Sequence, residues 1–76
     1  MAYWINQAGN NNRANWRSFY ADTDTDVQSL PTSISEGDKQ VVDPTAHKKC
    51  SIGSECISLS SSKVFILGGD NIWKEI

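Results

Sequence analysis

The sequence predicts a mostly β fold: a small single domain with a C-terminal three-stranded antiparallel meander, one or two N-terminal strands and a long irregular middle segment. Three observations lead to this prediction. Residues 55–76 hold three short apolar runs separated by two turn sequences. Aromatic residues, which favour strands, are concentrated in residues 1–21. Residues 34–55 mix Ser, Thr, Asp and Lys with Gly and Pro, a composition typical of a surface connection.

The meander is predicted by residues 55–60, 63–67 and 72–76, with short turns at Ser61-Ser62 and at residues 68–71. Residues 55–60 and 72–76 alternate between apolar and polar side chains, as half-buried strands do. The side chains expected in the core are Ile57, Leu59, Val64, Ile66, Ile72 and Ile76. Phe65 and Trp73 fall on the opposite face, which the N-terminal half or another chain has to cover.

The N-terminal region is predicted to be extended on both sides of a turn. Tyr3-Trp4-Ile5 suggests a short strand, and Gly and Asn at residues 9–12 supply turn chemistry. Residues 13–20 are interpreted as a second extended segment. The helical spacing of Trp16, Phe19 and Tyr20 leaves a short helix as the alternative.

The middle of the chain begins with alternating Asp and Thr at residues 22–26. On an extended chain this alternation puts the three carboxylates on one solvated face. A calcium loop is not favoured, because Val27 and Ser33 occupy its glycine and bidentate-acid positions. Pro31 disfavours a helix at Leu30 and indicates an extended or turn connection. Residues 41–42 could make a short strand, within a surface connection or a flap that orders against a partner.

The length and charge of the chain argue against several classes of function. A chain of 76 residues buries only about 60% of the surface that its unfolded form exposes, which disfavours a large enclosed active site. Seven basic residues against nine acidic ones argue against nucleic-acid binding. No apolar run reaches the ~20 residues that span a membrane. The first residues lack the pattern of a secretory signal, so we expect a protein made and kept in the cytoplasm or released inside a larger particle.

The reactive side chains form no catalytic or metal-binding pattern. His47, Cys50 and Cys56 lack the fourth ligand and paired spacing of a structural zinc site. A thiol nucleophile would also need an orienting group and a pocket. Residues 68–70 are interpreted as a plain hairpin turn rather than a phosphate cradle. We therefore predict no enzyme activity, no cofactor and no metal, with two reduced thiols rather than a disulfide.

The aromatic residues are the candidates for binding. They can serve as core, as anchors of a protein interface, where Trp, Tyr and Arg are enriched, or as platforms for sugar rings. The predicted interface residues are Tyr3, Trp4, Trp16, Arg17, Phe19, Tyr20, Leu30 and Trp73.

Much of the chain resembles small virion proteins, of the head-fibre and capsid-decoration type, from tailed bacteriophages and prophages of Gram-positive bacteria. Gly53-Ser54 opens a strand, a polar turn leads to the apolar run at residues 63–67, and a second turn precedes Trp73. The stretch D-x-x-x-L-P-T at residues 26–32 is similar to an extended segment of the same proteins, and the Tyr-Trp and Asn-Asn-Arg-Ala segments near the N-terminus also fit.

The resemblance implies a non-enzymatic structural protein of the virion, bound to the capsid surface as a decoration or head-fibre protein. Its implied partners are the major capsid protein or other virion subunits, with a homo-oligomer on the particle and neither nucleic acid nor membrane. Two alternatives stay open: a carbohydrate-binding or adaptor module of the phage tail, and a small cytoplasmic regulator that binds one host protein.

Overall fold

The strands of this computed structural model, which describes residues 2–8 and 15–76, form one five-stranded sheet. They are β1 (Tyr3–Ala8), β2 (Arg17–Ala21), β3 (Glu55–Ser58), β4 (Lys63–Leu67) and β5 (Trp73–Glu75). Their order in the sheet follows the chain, and all neighbours are antiparallel except the parallel pair of β2 and β3. The predicted small β domain with two N-terminal strands and a C-terminal meander is confirmed. The predicted turn at residues 9–12 lies outside the described residues.

The connection between the parallel strands β2 and β3, residues 22–54, covers one face of the sheet; we call it the covering segment. Parallel neighbours need a long connection, usually a helix. Here the connection is irregular apart from a short 3-10 helix, Thr25–Ser29, so the irregular middle segment is also confirmed. The core joins covering-segment residues to one side of the sheet, and its buried members are Tyr3, Phe19, Ala21, Val27, Leu30, Ala46, Cys50, Cys56 and Leu67.

The prediction of which meander face is buried is wrong. The apolar residues expected in the core do share one face, but it is the exposed one: Val64, Ile72 and Ile76 are 37%, 57% and 76% exposed. The covering segment packs on the opposite face, where Phe65 and Trp73 lie against the buried core. There the Trp73 indole N–H donates to the Pro31 carbonyl at 3.0 Å. Leu59, also expected in the core, is 47% exposed in the turn after β3.

The extended conformation predicted for the alternating Asp and Thr at residues 22–26 is also wrong. One carboxylate oxygen of Asp26 accepts from the Thr23 backbone N–H at 3.0 Å and from the Thr23 hydroxyl at 3.1 Å. Such a side-chain-to-backbone bond closes a turn and competes with an extended chain. Asp26 is therefore buried instead of lying on a solvated face. Leu30 is extended before Pro31, as predicted.

Residues 41–42 form no strand, and Val41 is 99% exposed. The residues on either side of them bind the outer edge of β1. Gln40 Oε1 accepts from the Tyr3 backbone N–H at 3.2 Å, and Asp43 Oδ2 accepts from the Ile5 N–H at 3.0 Å. Unpaired N–H groups on an edge strand are a template for pairing with another chain. Side chains of the covering segment therefore protect this edge.

Tyr3 fixes the covering segment over the sheet. Its side chain is fully buried, its ring meets the Phe19 ring edge-on at 6.1 Å between centroids, and its hydroxyl donates to the Asp38 carbonyl. Burial, with a contribution from the nearby Asp38 carboxylate, raises the pKa of Tyr3 to about 12. The backbone of Gly37 passes directly over this hydroxyl. A Cβ there would lie 2.6 Å from the Tyr3 oxygen and 2.5 Å from the Ser29 carbonyl oxygen.

Gly37→Ala is expected to destabilise the fold by about 1–3 kcal/mol or more, because the added methyl group meets backbone atoms that cannot move independently. The matched control is Gly69→Ala, where an added Cβ has no neighbour within 4 Å. Urea denaturation of both variants measures the difference. Equal free energies of unfolding for the two variants would contradict the described path of the covering segment.

Asp43→Ala is expected to lower the free energy of unfolding by about 1–3 kcal/mol, because it leaves the Ile5 N–H on the β1 edge without its acceptor. Asp22→Ala removes an exposed carboxylate from the same segment and serves as the control, with an expected change within about 0.5 kcal/mol.

The loss of stability caused by Asp43→Ala should depend on pH. The Ile5 N–H holds the pKa of Asp43 below its ordinary value, with help from Thr45. The carboxylate's contribution is therefore complete above the unfolded-state value of about 3.9 and is lost as the pH falls through the lower folded-state value. The stability gap between wild type and Asp43→Ala should be constant from pH 7 to 5 and shrink below about pH 4. A gap that grows on acidification would refute this role.

Candidate protein-interaction site

The uncovered side of the sheet carries a continuous row of apolar side chains. Pairing between neighbouring strands joins Trp4 to Tyr20, Tyr20 to Ile57, and Ile57 to Val64. Beyond β4, the Ile76 N–H donates to the Val64 carbonyl at 2.9 Å, which continues the row to the last strand. Because side chains alternate between faces along a strand, these residues share one side. We call this side the open face; it is formed by Trp4, Tyr20, Ile57, Val64, Ile66, Ile72 and Ile76.

A second row on the open face carries opposite charges around an apolar centre. Ile66 on β4 lies between Glu55 on β3 and Lys74 on β5, each its direct cross-strand partner. Both charged side chains are exposed. Lys74 also pairs with Asp70, with 2.9 Å between Nζ and Oδ2. The face therefore has an acidic and a basic side chain at equal strand distances from Ile66.

Trp4 and Tyr20 form the aromatic end of the open face. Their ring centroids are 6.2 Å apart with an interplanar angle of 60°, an edge-to-face contact. Both residues are only half-buried. Ile57 and Ile66 are half-buried too, and Val64, Ile72 and Ile76 are exposed. The exposed apolar surface thus runs from β1 to β5.

The predicted interface residues are divided between the core and the surface. Tyr3 and Phe19 of the sheet and Leu30 of the covering segment are buried where the two pack together, at 5% exposure or less. Trp73 meets Phe19 edge-on at 6.0 Å and is half-buried in the same layer. These four side chains hold the fold together and offer little surface to a partner.

The other four candidates lie nearer the solvent. Trp4 and Tyr20 belong to the open face. The indole N–H of Trp16 donates to the Gly53 carbonyl at 3.0 Å, and Arg17 is half-buried at the start of β2. The aliphatic residues of the open face were missed as site residues. Their alternating pattern is the signal for them, but alternation fits a buried face and a partner-covered face equally well.

Neither thiol is placed for nucleophilic chemistry. Cys50 and Cys56 are unbridged and buried, and the Cys50 thiol donates to the Pro31 carbonyl at 3.6 Å. Burial raises the pKa of both thiols, that of Cys56 to about 12, so both stay protonated at neutral pH. His47 forms a hydrogen bond through Nδ1 with the Pro44 carbonyl oxygen.

The described residues also contain no concave site. Residues 2–8 and 15–76 enclose no pocket and bring together no group of three metal-ligating side chains. No described helix has the length and apolar character to cross a bilayer.

Comparisons with family models, with curated proteins and with solved structures find no match to this chain. The open face is therefore the candidate functional site of this chain.

Both thiols of the native protein are expected to resist alkylation by iodoacetamide at pH 7, because reaction requires an exposed thiolate. Mass spectrometry should find no added mass on the folded chain and two modified cysteines in 6 M guanidinium chloride. The unfolded sample is the control for reagent quality. Rapid modification of either cysteine in the folded chain would show that the covering segment opens readily.

Proposed function

We propose that the chain is a non-enzymatic structural protein of a bacteriophage virion, of the capsid-decoration or head-fibre kind, attached through contacts with other protein subunits. The observation that carries the proposal is the open face. It is the more aliphatic side of the meander, yet the chain's own covering segment packs on the other side. Covering apolar surface stabilises by about 25 cal/mol per Å², so a subunit laid over this face gains free energy from each Val or Ile that is still exposed.

The shape of the face suits a protein partner better than a small molecule. Small ligands bind in concave pockets that enclose most of their surface. The open face is a sheet surface, with no pocket among the described residues. Its aromatic pair, Trp4 and Tyr20, and its charged margin at Glu55 and Lys74 are the composition of a protein interface, which has an apolar centre and a polar rim.

The virion setting comes from the sequence resemblance at residues 21–33 and 53–76. In that setting the partners are the major capsid protein or other virion subunits, and the chain is an oligomer on the particle. A face of this size gives modest affinity for one copy. Attachment of linked copies at several lattice positions converts modest affinity into durable binding, because each later contact is intramolecular.

The test is co-sedimentation of the purified chain with purified particles of the phage that encodes it. Ile57→Thr combined with Val64→Thr keeps β-branched side chains but makes the open face polar. We expect particle binding to fall at least tenfold, which corresponds to about 1.4 kcal/mol or more. The matched control combines Val41→Thr with Val42→Thr, the same kind of change on exposed residues away from the sheet, and should retain binding within twofold.

Two results would count against the proposal: failure of the unaltered chain to sediment with particles, or equal losses in the two double variants. Tryptophan fluorescence titrated with cell-wall glycans tests the carbohydrate alternative. A saturable change that disappears in Trp4→Ala would favour a glycan-binding module and overturn the virion-structural assignment.

A further inference from the structure

We infer that a second copy of this chain packs on the open face, giving a two-sheet sandwich with a two-fold axis beneath β4. The inference rests on the proposal that protein subunits cover this face. It identifies a second copy of the same chain as one of those subunits. It concerns the purified chain alone, so it can be tested without any particle.

The charges on the face are self-complementary about this axis. A two-fold axis in the plane of the interface and parallel to β4 exchanges the strands on either side of β4. It therefore brings β3 of one copy opposite β5 of the other. Glu55 and Lys74 both flank Ile66 in register, so each Glu55 lies opposite the second copy's Lys74 and the two Ile66 side chains meet at the centre. An interface between identical subunits has this property of pairing each patch with itself.

The apolar row obeys the same symmetry. Val64, on the axis strand, lies opposite its own copy, and Ile57 lies opposite Ile76. Sheets that pack face to face stand about 10 Å apart, a distance that interdigitating aliphatic side chains fill. The sandwich thus covers the three most aliphatic strands with side chains of matching character.

The arrangement leaves the aromatic ends of the two sheets uncovered. β1 and β2 extend past the partner's β5, so Trp4 and Tyr20 of each copy stay accessible. The dimer therefore presents two identical aromatic patches to a third subunit, which on a virion is the major capsid protein. This division gives the two halves of the open face different partners.

The overlap of three strands is small, about 10–15 Å across at a strand spacing of ~4.8 Å. It buries less than the roughly 1,600 Å² of a standard interface, so the free dimer is expected to dissociate in the micromolar to millimolar range. Sedimentation equilibrium across that range of concentrations is the direct measurement.

The decisive variants reverse the charges. Glu55→Lys and Lys74→Glu each place like charges opposite one another across the axis, and each should raise the dimer dissociation constant at least fivefold. The double variant restores opposite pairs and should return the constant to within about twofold of wild type. Reversal at exposed covering-segment positions, Glu36→Lys and Lys39→Glu, is the matched control and should leave the constant unchanged.

The Lys74→Glu change also removes the ion pair with Asp70 and sets two acidic side chains together. That effect is within one chain and persists in the double variant, so it does not account for a recovery of the dimer dissociation constant there. Circular dichroism and urea denaturation confirm that each variant folds.

A monomer at all concentrations, an oligomer larger than a dimer, or a double variant no better than the single ones would overturn the inference. Particle binding by a chain that stays monomeric would overturn it while leaving the proposed function standing. A dimer that shows charge recovery but ignores particles would support the inference and contradict the proposed function.

Discussion

The fold depends on the burial of Tyr3 between the sheet and the covering segment. This one residue contacts the Phe19 ring, donates its hydroxyl to the Asp38 carbonyl and donates its backbone N–H to Gln40. It therefore links the first strand to a segment more than thirty residues away in sequence. A connection with almost no secondary structure of its own needs such fixed points, because each ordered residue costs about 1–2 kcal/mol of backbone entropy.

The covering segment is held on one side of the sheet by hydrogen bonds as well as by apolar contacts. The aromatic side chains of the covered face carry donors: the Tyr3 hydroxyl and the Trp73 indole N–H each meet a backbone carbonyl of the segment. Buried carbonyls need such partners. The opposite side of the sheet is the open face, on which Val64, Ile72 and Ile76 stay exposed.

The strands and the pairing of side chains into two faces follow from local pattern, which is why the sequence predicts the meander and places Ile57, Val64 and Ile66 together. Which face is inside does not follow, because alternation is symmetric and the deciding contacts come from distant residues. The side chains of Gln40 and Asp43 accept hydrogen bonds from N–H groups of β1 that lie 37 and 38 positions away in the sequence. The 3-10 helix likewise depends on the hydrogen bond from the Thr23 N–H to the Asp26 carboxylate. The alternation of Asp and Thr does not distinguish this turn from an extended chain. For the candidate site, the aromatic pair was among the predicted interface residues, whereas the aliphatic row was predicted to be core.

The sealed thiols make the fold indifferent to the redox state of its surroundings. Cys50 and Cys56 are shielded from oxidants and from glutathione alike, and neither is poised to exchange with a disulfide. A chain built this way keeps one covalent form whether it sits in a reducing cell interior or in the open medium.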